Sequence, residues 1–230
     1  MATHLDLEEQ EQLDAVKHFW KRYGNLITWL LILVLGGYAA WNGWSWWQRD
    51  QAMKAGAMFD ELDRAAQTGD ADKTNRIFSD LKERYPATAF AQQGGLLSAK
   101  VQAENGKPDI AQTTLGWVAS NASEIEYQAI ARLRLAGLLL DEKKYDDALK
   151  QLDAVTATSF AALVADRRGD VLFAQGKTED AKTAYLNAWQ TMDAGIDYRR
   201  LIEAKLASLG AAPQLTPVAA GTAASAGAAR

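Results

Sequence analysis

A chain of 230 residues with no cysteine, two histidines and a formal net charge of −4 is long enough for one globular domain with additional segments. The absence of cysteine excludes disulfides, thiol nucleophiles and thiolate metal sites. Basic and acidic residues are nearly balanced, 25 against 29, so no basic surface for nucleic acid is expected.

The first predicted element is a transmembrane helix over residues 24–47. No charged side chain occurs in this stretch, and its apolar run is long enough to cross a hydrocarbon core of about 30 Å. Tryptophan and tyrosine cluster at both ends, as they do at the headgroup layers. Two alternatives are a cleaved signal peptide, which the long acidic segment before it disfavours, and the buried core helix of a small domain, which its length disfavours.

Residues 1–23 are predicted to be a cytoplasmic tail whose last turns are amphipathic. These turns either lie along the membrane surface or form a helix that continues into the bilayer. Three basic residues precede the span and two follow it: Lys17, Lys21, Arg22, Arg49 and Lys54. This excess of one favours a cytoplasmic N-terminus. Small residues at helical spacing and one polar side chain are candidates for contact with another membrane helix: Gly36, Ala39, Ala40, Asn42 and Gly43.

A repeated pattern of paired helices follows, and we predict a tetratricopeptide-like domain over residues 48–210. Residues 135–149 align without gaps with residues 168–182, an offset of 33. Each segment has a small residue on the first helix and an alanine early in the second, Ala148 or Ala181, which lets two helices cross closely. An ordinary helical bundle is the alternative interpretation.

Two weaker units precede these, so that four units follow one another at spacings of about 37, 37 and 33 residues. Residues 197–209 are predicted to form a closing helix, and residues 211–230 a disordered Ala/Gly-rich tail. The predicted fold class is all-α: one N-terminal transmembrane helix followed by a tetratricopeptide-like helical-repeat solenoid.

The predicted repeat domain has no equipment for catalysis. Both histidines, His4 and His18, precede the span, so histidine-based chemistry is not expected after it. The carboxylates of residues 141–147 belong to a polar turn that also contains lysines, which is typical of a solvated corner. We therefore predict a protein that is not an enzyme and has no catalytic residue, cofactor or metal.

Three segments carry a resemblance to a known family: residues 11–17 before the span, residues 131–136, and residues 160–172 with Gly176, Lys177 and Ala181 after them. They are similar to the YfgM-like ancillary subunits of the SecYEG translocon, and the resemblance extends over residues 8–209. It implies a single-pass protein of the bacterial inner membrane with a cytoplasmic N-terminus and a periplasmic domain. It also implies three partners, which are the SecYEG translocon, the periplasmic chaperone PpiD and translocating polypeptides, and a role in transferring newly translocated proteins to periplasmic chaperones.

The first helices of stacked repeats form a concave face, which is the expected protein-binding groove. The alignment places nine residues there: Gln93, Leu96, Lys100, Ile130, Leu133, Gly137, Asp166, Asp170 and Phe173. The alternative for each is that apolar members belong to the core and polar members are merely solvated. Arg168 takes a position that is normally apolar, so a buried guanidinium would need a carboxylate partner, either Asp170 or one on the preceding helix.

A second functional hypothesis is an envelope scaffold or stress-regulatory protein. Its acidic segment, residues 6–14, would contact a cytoplasmic regulator.

Overall fold

The computed structural model describes residues 7–212, and all regular structure in this range is helical, which confirms the all-α fold class. Residues 1–6 and 213–230, including most of the predicted disordered tail, lie outside the described residues. The helices are α1 (Leu7–Gln67), α2 (Ala71–Arg84), α3 (Ala89–Glu104), α4 (Pro108–Asn121), α5 (Ile125–Asp141), α6 (Tyr145–Asp153), α7 (Ala161–Ala174), α8 (Thr178–Thr191) and α9 (Tyr198–Ser208). A single 3-10 turn, Thr158–Phe160, precedes α7.

The chain divides into two compact units, Met1–Lys54 and Ala55–Arg230, each described by itself. In the first, α1 is the one described helix that is long and apolar enough to cross a membrane. Its apolar side chains face outward, with Leu33 73% and Trp41 72% exposed, which contradicts the core-helix alternative. No helix break marks the predicted boundary at residues 47 and 48, because residues 48–67 contain no proline and only one glycine.

The second unit is a series of antiparallel helix pairs. Helix α3 pairs with α4, α5 with α6, and α7 with α8. The end of α1 packs with α2 in one cluster that includes Leu62 and Phe78. These four pairs correspond to the four predicted repeat units, and α9 forms the predicted closing helix. Within each pair the connecting turn contains one residue with a positive φ, between 61° and 78°: Gly69, Gly106, Lys143 and Gly176. Three of these four residues are glycine, which adopts the left-handed conformation without steric penalty, and the turn recurs at the same place in each pair.

Small residues allow the paired helices to approach closely, as the alignment predicted. Ala111, Ala148 and Ala181 are fully buried at equivalent positions on α4, α6 and α8. At Gly169 on α7, a Cβ atom would lie only 2.4 Å from a ring carbon of Tyr185 on α8. The ring of Tyr185 therefore occupies the space that any larger residue at position 169 would need.

The third pair is the irregular one, because α6 has 9 residues whereas α2, α4 and α8 have 14 each. Residues 154–160 replace the missing turns, and a hollow of about 380 Å³ remains between α6, α7 and α8. Arg168 lines this hollow and donates a hydrogen bond to Asp153 on α6. The Arg168 side chain is 37% exposed, so the guanidinium is not buried as predicted. Of the two partners that the sequence left open, the structure shows the one on the preceding helix, because Asp170 pairs with Arg167 and Lys205 instead.

Candidate protein-binding groove

The first helices of successive pairs, α3, α5 and α7, lie side by side, with α5 contacting both neighbours. An open hollow of about 460 Å³ lies among them. Its floor is formed by small and aliphatic residues: Ala99, Ala103, Leu115, Gly137 and Leu138. Five charged side chains complete the lining: Lys100, Glu104, Arg134, Asp141 and Arg167. This combination of apolar floor and charged rim is typical of a peptide-binding surface.

Two of the nine predicted groove residues, Lys100 and Gly137, line this hollow. Phe173 is 52% exposed on α7, and Ile130 and Leu133 are half-buried on α5. Gln93 is half-buried, and its Nε2 donates to the Tyr127 hydroxyl at 2.6 Å, which ties α3 to α5. Leu96 is buried in the core shared by α3, α4 and α5, so it stabilises the stack and is not a surface residue.

The two predicted acidic groove residues have internal partners on α9. Asp166 is 1% exposed and accepts hydrogen bonds from Lys205 Nζ at 2.8 and 2.9 Å and from the Tyr198 hydroxyl at 2.7 Å. Asp170 accepts from the same Lys205 Nζ at 2.7 Å and from the Tyr185 hydroxyl at 2.8 Å. The placement of Asp166 on an open groove is therefore wrong, because a buried carboxylate requires such partners and α9 supplies them.

The environment of these carboxylates also affects the two tyrosines. Burial raises the pKa of Tyr185 and of Tyr198 well above the usual range, because the phenolate form would lose its hydration. The hydrogen bonds that the hydroxyls donate to Asp170 and Asp166 raise each pKa further. Both tyrosines therefore remain neutral hydrogen-bond donors that hold the end of the repeat stack together.

Four charged residues that line the hollow were not among the nine predicted groove residues: Glu104, Arg134, Asp141 and Arg167. Arg134 and Arg167 are 33 residues apart, and Glu104 and Asp141 are 37 residues apart, which are the two repeat spacings. The Arg134 guanidinium donates to the backbone oxygen of Leu96 at 3.0 Å. The repeat alignment contained this signal, since each pair occupies one register position on adjacent first helices.

The five predicted contact residues of the span, residues 36–43, are all exposed in the first unit. A Cβ atom added at Gly36 or Gly43 would meet nothing within 4 Å. This face offers the close backbone approach that helix pairs in membranes use. Its contact with another helix stays a prediction.

Comparison with known proteins places this architecture in a family. A family model described as a tetratricopeptide repeat-like domain matches residues 17–211. An ancillary SecYEG translocon subunit of Neisseria gonorrhoeae is 35% identical over 210 residues, covering 91% of this chain and the whole of that relative. The chain belongs to the family of ancillary SecYEG translocon subunits. The predicted resemblance to the YfgM-like ancillary subunits of the SecYEG translocon is thereby confirmed.

Two further ancillary SecYEG translocon subunits are more distant. The Escherichia coli protein is 28% identical, with 77% of this chain and 85% of the relative covered, and the Haemophilus influenzae protein is 28% identical, with 80% and 90% covered. No solved structure matches the chain significantly.

In the part of the chain that the structure describes, no group of three or more His, Asp or Glu residues is placed to hold a metal ion. The repeats of this member of the ancillary SecYEG translocon subunit family form a surface of the kind that binds proteins.

Proposed function

We propose that this chain is a membrane-anchored protein-binding module of the Sec translocon, without catalytic activity. The groove between α3, α5 and α7 would receive newly translocated polypeptides and assist their transfer to periplasmic chaperones such as PpiD. The observation that carries this proposal is the match to a named translocon subunit over its whole length, which includes both the apolar helix and every repeat.

The apolar part of α1 supports the anchoring role. A tether restricts the groove to a short distance from the membrane, so that even a weak site meets an emerging chain at high effective concentration. The face formed by Gly36, Ala40 and Gly43 would contact a multispanning partner, with Asn42 available for a hydrogen bond between helices.

Photo-crosslinking tests this assignment. Crosslinkers at Gly36, Ala40 or Gly43 are expected to capture a SecYEG subunit, whereas matched crosslinkers at Val34 and Ser45, on the opposite face of the helix, are not. Crosslinkers at Lys100 or Gly137 are expected to capture translocating chains or PpiD. If both faces of the span capture the translocon equally, the span is only an anchor; if no position captures it, the translocon assignment fails.

The orientation is a separate part of the proposal, supported by the small excess of basic residues before the span. A reporter that is active only in the periplasm should be active when fused after Leu209 and inactive when fused after Gln10. The reverse pattern would place the groove in the cytoplasm. The regulatory alternative predicts instead that deleting residues 1–12 alone abolishes function while the groove and its crosslinks stay intact.

A further inference from the structure

Four of the five charged residues of the groove form two rows, each crossing adjacent first helices at one register position, and the fifth, Lys100, pairs with Glu104. The basic row consists of Arg134 on α5 and Arg167 on α7; the acidic row consists of Glu104 on α3 and Asp141 on α5. The small and aliphatic floor, including Leu138, lies in the same hollow. A ligand that spans the groove along α5 therefore meets a positive charge near one end and a negative charge near the other.

These charges are available to a ligand. Within the described residues, Arg134 and Asp141 have no oppositely charged side chain within 4.0 Å, and Arg134 makes its one hydrogen bond to a backbone oxygen. Arg167 pairs with Asp170 at 3.5 Å on its own helix. Glu104 pairs with Lys100 at 3.8 Å, with both side chains about 60% exposed. Pairs this long or this exposed are weak, so a ligand can compete with them.

The two residues of the acidic row lie at helix C-termini, where a negative charge does not stabilise the helix. Glu104 is the last residue of α3 and Asp141 is the last residue of α5. Helix C-termini already carry partial negative charge, so acidic side chains are disfavoured there. The same unfavourable choice at two equivalent positions places two carboxylates at one edge of the groove, which a cationic group of a ligand would neutralise.

We propose that the groove selects extended polypeptide segments that carry one acidic and one basic residue three positions apart. The two charged residues can occur in either order, and the residues between them are apolar. Arg134 and Asp141 are seven positions apart on α5, about 10 Å along the helix axis. An extended chain in the polyproline II conformation rises about 3.1 Å per residue with three residues per turn, so two residues three positions apart cover about this distance and lie on the same face. The acidic residue pairs with Arg134, the apolar residues contact Leu138 and Ala103, and the basic residue pairs with Asp141. This selectivity rests on the proposed polypeptide-binding function and specifies its ligand class.

The experiment uses the full chain in detergent micelles and three fluorescent peptides with identical Gly/Ser flanks and the central sequences DLLK, DLLD and KLLK. Fluorescence anisotropy is expected to show that DLLK binds about two- to fivefold more tightly than either of the others, as one additional exposed charge pair provides. Like-charged peptides are used because a reversed KLLD peptide could bind in the opposite chain direction.

Two charge reversals should reorder the peptides. Asp141→Lys should make DLLD the preferred peptide, and Arg134→Glu should make KLLK the preferred one. Asp141→Lys places a cation at a helix C-terminus, which favours the helix, so a loss of DLLK binding in this variant is expected to come from the changed charge and not from unfolding. Arg134→Gln serves as a milder second variant that should lower DLLK binding without favouring KLLK as strongly. Matched reversals outside the groove, Asp180→Lys and Arg200→Glu, should leave the order unchanged.

A blocking variant separates the two levels of the proposal. Gly137→Trp should fill the hollow and weaken all three peptides equally. If it does so but the wild-type protein shows no preference among peptides and the reversals do not reorder them, charge selection is refuted while the groove stands as the binding site. If no peptide binds, or Gly137→Trp changes nothing, both the charge selection and the groove assignment are refuted.

Discussion

Lys205 on α9 should contribute far more to stability than a lysine with an exposed partner, and the substitution Lys205→Met tests this. The change removes the ammonium group from between two carboxylates while keeping most of the side-chain volume. The Asp166 side chain, 2% exposed, would keep only the Tyr198 hydroxyl as a donor, and Asp170 would keep Tyr185 and the more distant Arg167. Leaving one buried charge without its counterion costs about 3 kcal/mol, which lowers the melting temperature by about 6–12 °C for a domain of this size.

Lys182→Met is a closely matched control. The two lysine side chains are 22% and 25% exposed and lie 2.7–2.8 Å from their carboxylates, but Glu179, the partner of Lys182, is 83% exposed. Losing this surface pair should cost only about 0.5 kcal/mol. Urea unfolding followed by circular dichroism measures both free energies. Adding Asp166→Asn to Lys205→Met should recover part of the lost free energy of unfolding. If Lys205→Met and Lys182→Met reduce the free energy of unfolding by the same small amount, burial of the carboxylate partner is not what makes Lys205 important.

Three other outcomes follow from the packing and the raised pKa values. Ala181→Leu should overpack a fully buried helix crossing and destabilise the domain by about 1–3 kcal/mol; an unchanged melting temperature would contradict the alignment. Gly169→Ala should be destabilising because of the ring of Tyr185, whereas Gly116→Ala, with open space around it, should be neutral or stabilising by up to about 1 kcal/mol. The pKa values of Tyr185 and Tyr198 are raised in the folded state, so both tyrosines stabilise the fold fully below pH ~10, and this stabilisation is lost as the pH rises further. In alkaline unfolding experiments, the variant with phenylalanine at both positions should therefore lose less stability than the wild type.

Sequence periodicity was sufficient for the framework of the domain. Small residues at offsets of 33 and 37 located the helix crossings, because close packing restricts which residues fit at Ala148, Ala181 and Gly169. The closing helix was also located, as α9 occupies residues 198–208 within the predicted 197–209. These features are local or repeat every unit, so one copy supports the assignment of the next.

Pairings between distant side chains were not predictable in the same way. Lys205 reaches Asp166 across 39 residues, and nothing in the sequence pattern distinguishes it from other lysines of an amphipathic helix. The register placed Asp166 on the groove, but it did not show that Tyr198 and Lys205 of α9 bind its buried carboxylate. For Arg168 the sequence left two partners open, and the structure selects Asp153 because it ends α6 beside the hollow.

The shortness of α6 has a consequence for how the domain opens. In a linear array each repeat is stabilised mainly by its neighbours, so the weakest junction limits how far cooperativity extends. The junction of α6 with α7 carries the hollow of about 380 Å³ and a partly exposed ion pair instead of the missing helical turns. Local opening should therefore begin there, dividing the array into a larger segment before residue 154 and a smaller one after residue 160. In hydrogen exchange, amides of residues 154–160 and of the end of α6 should exchange first, and α7 and α8 should lose protection together as one block.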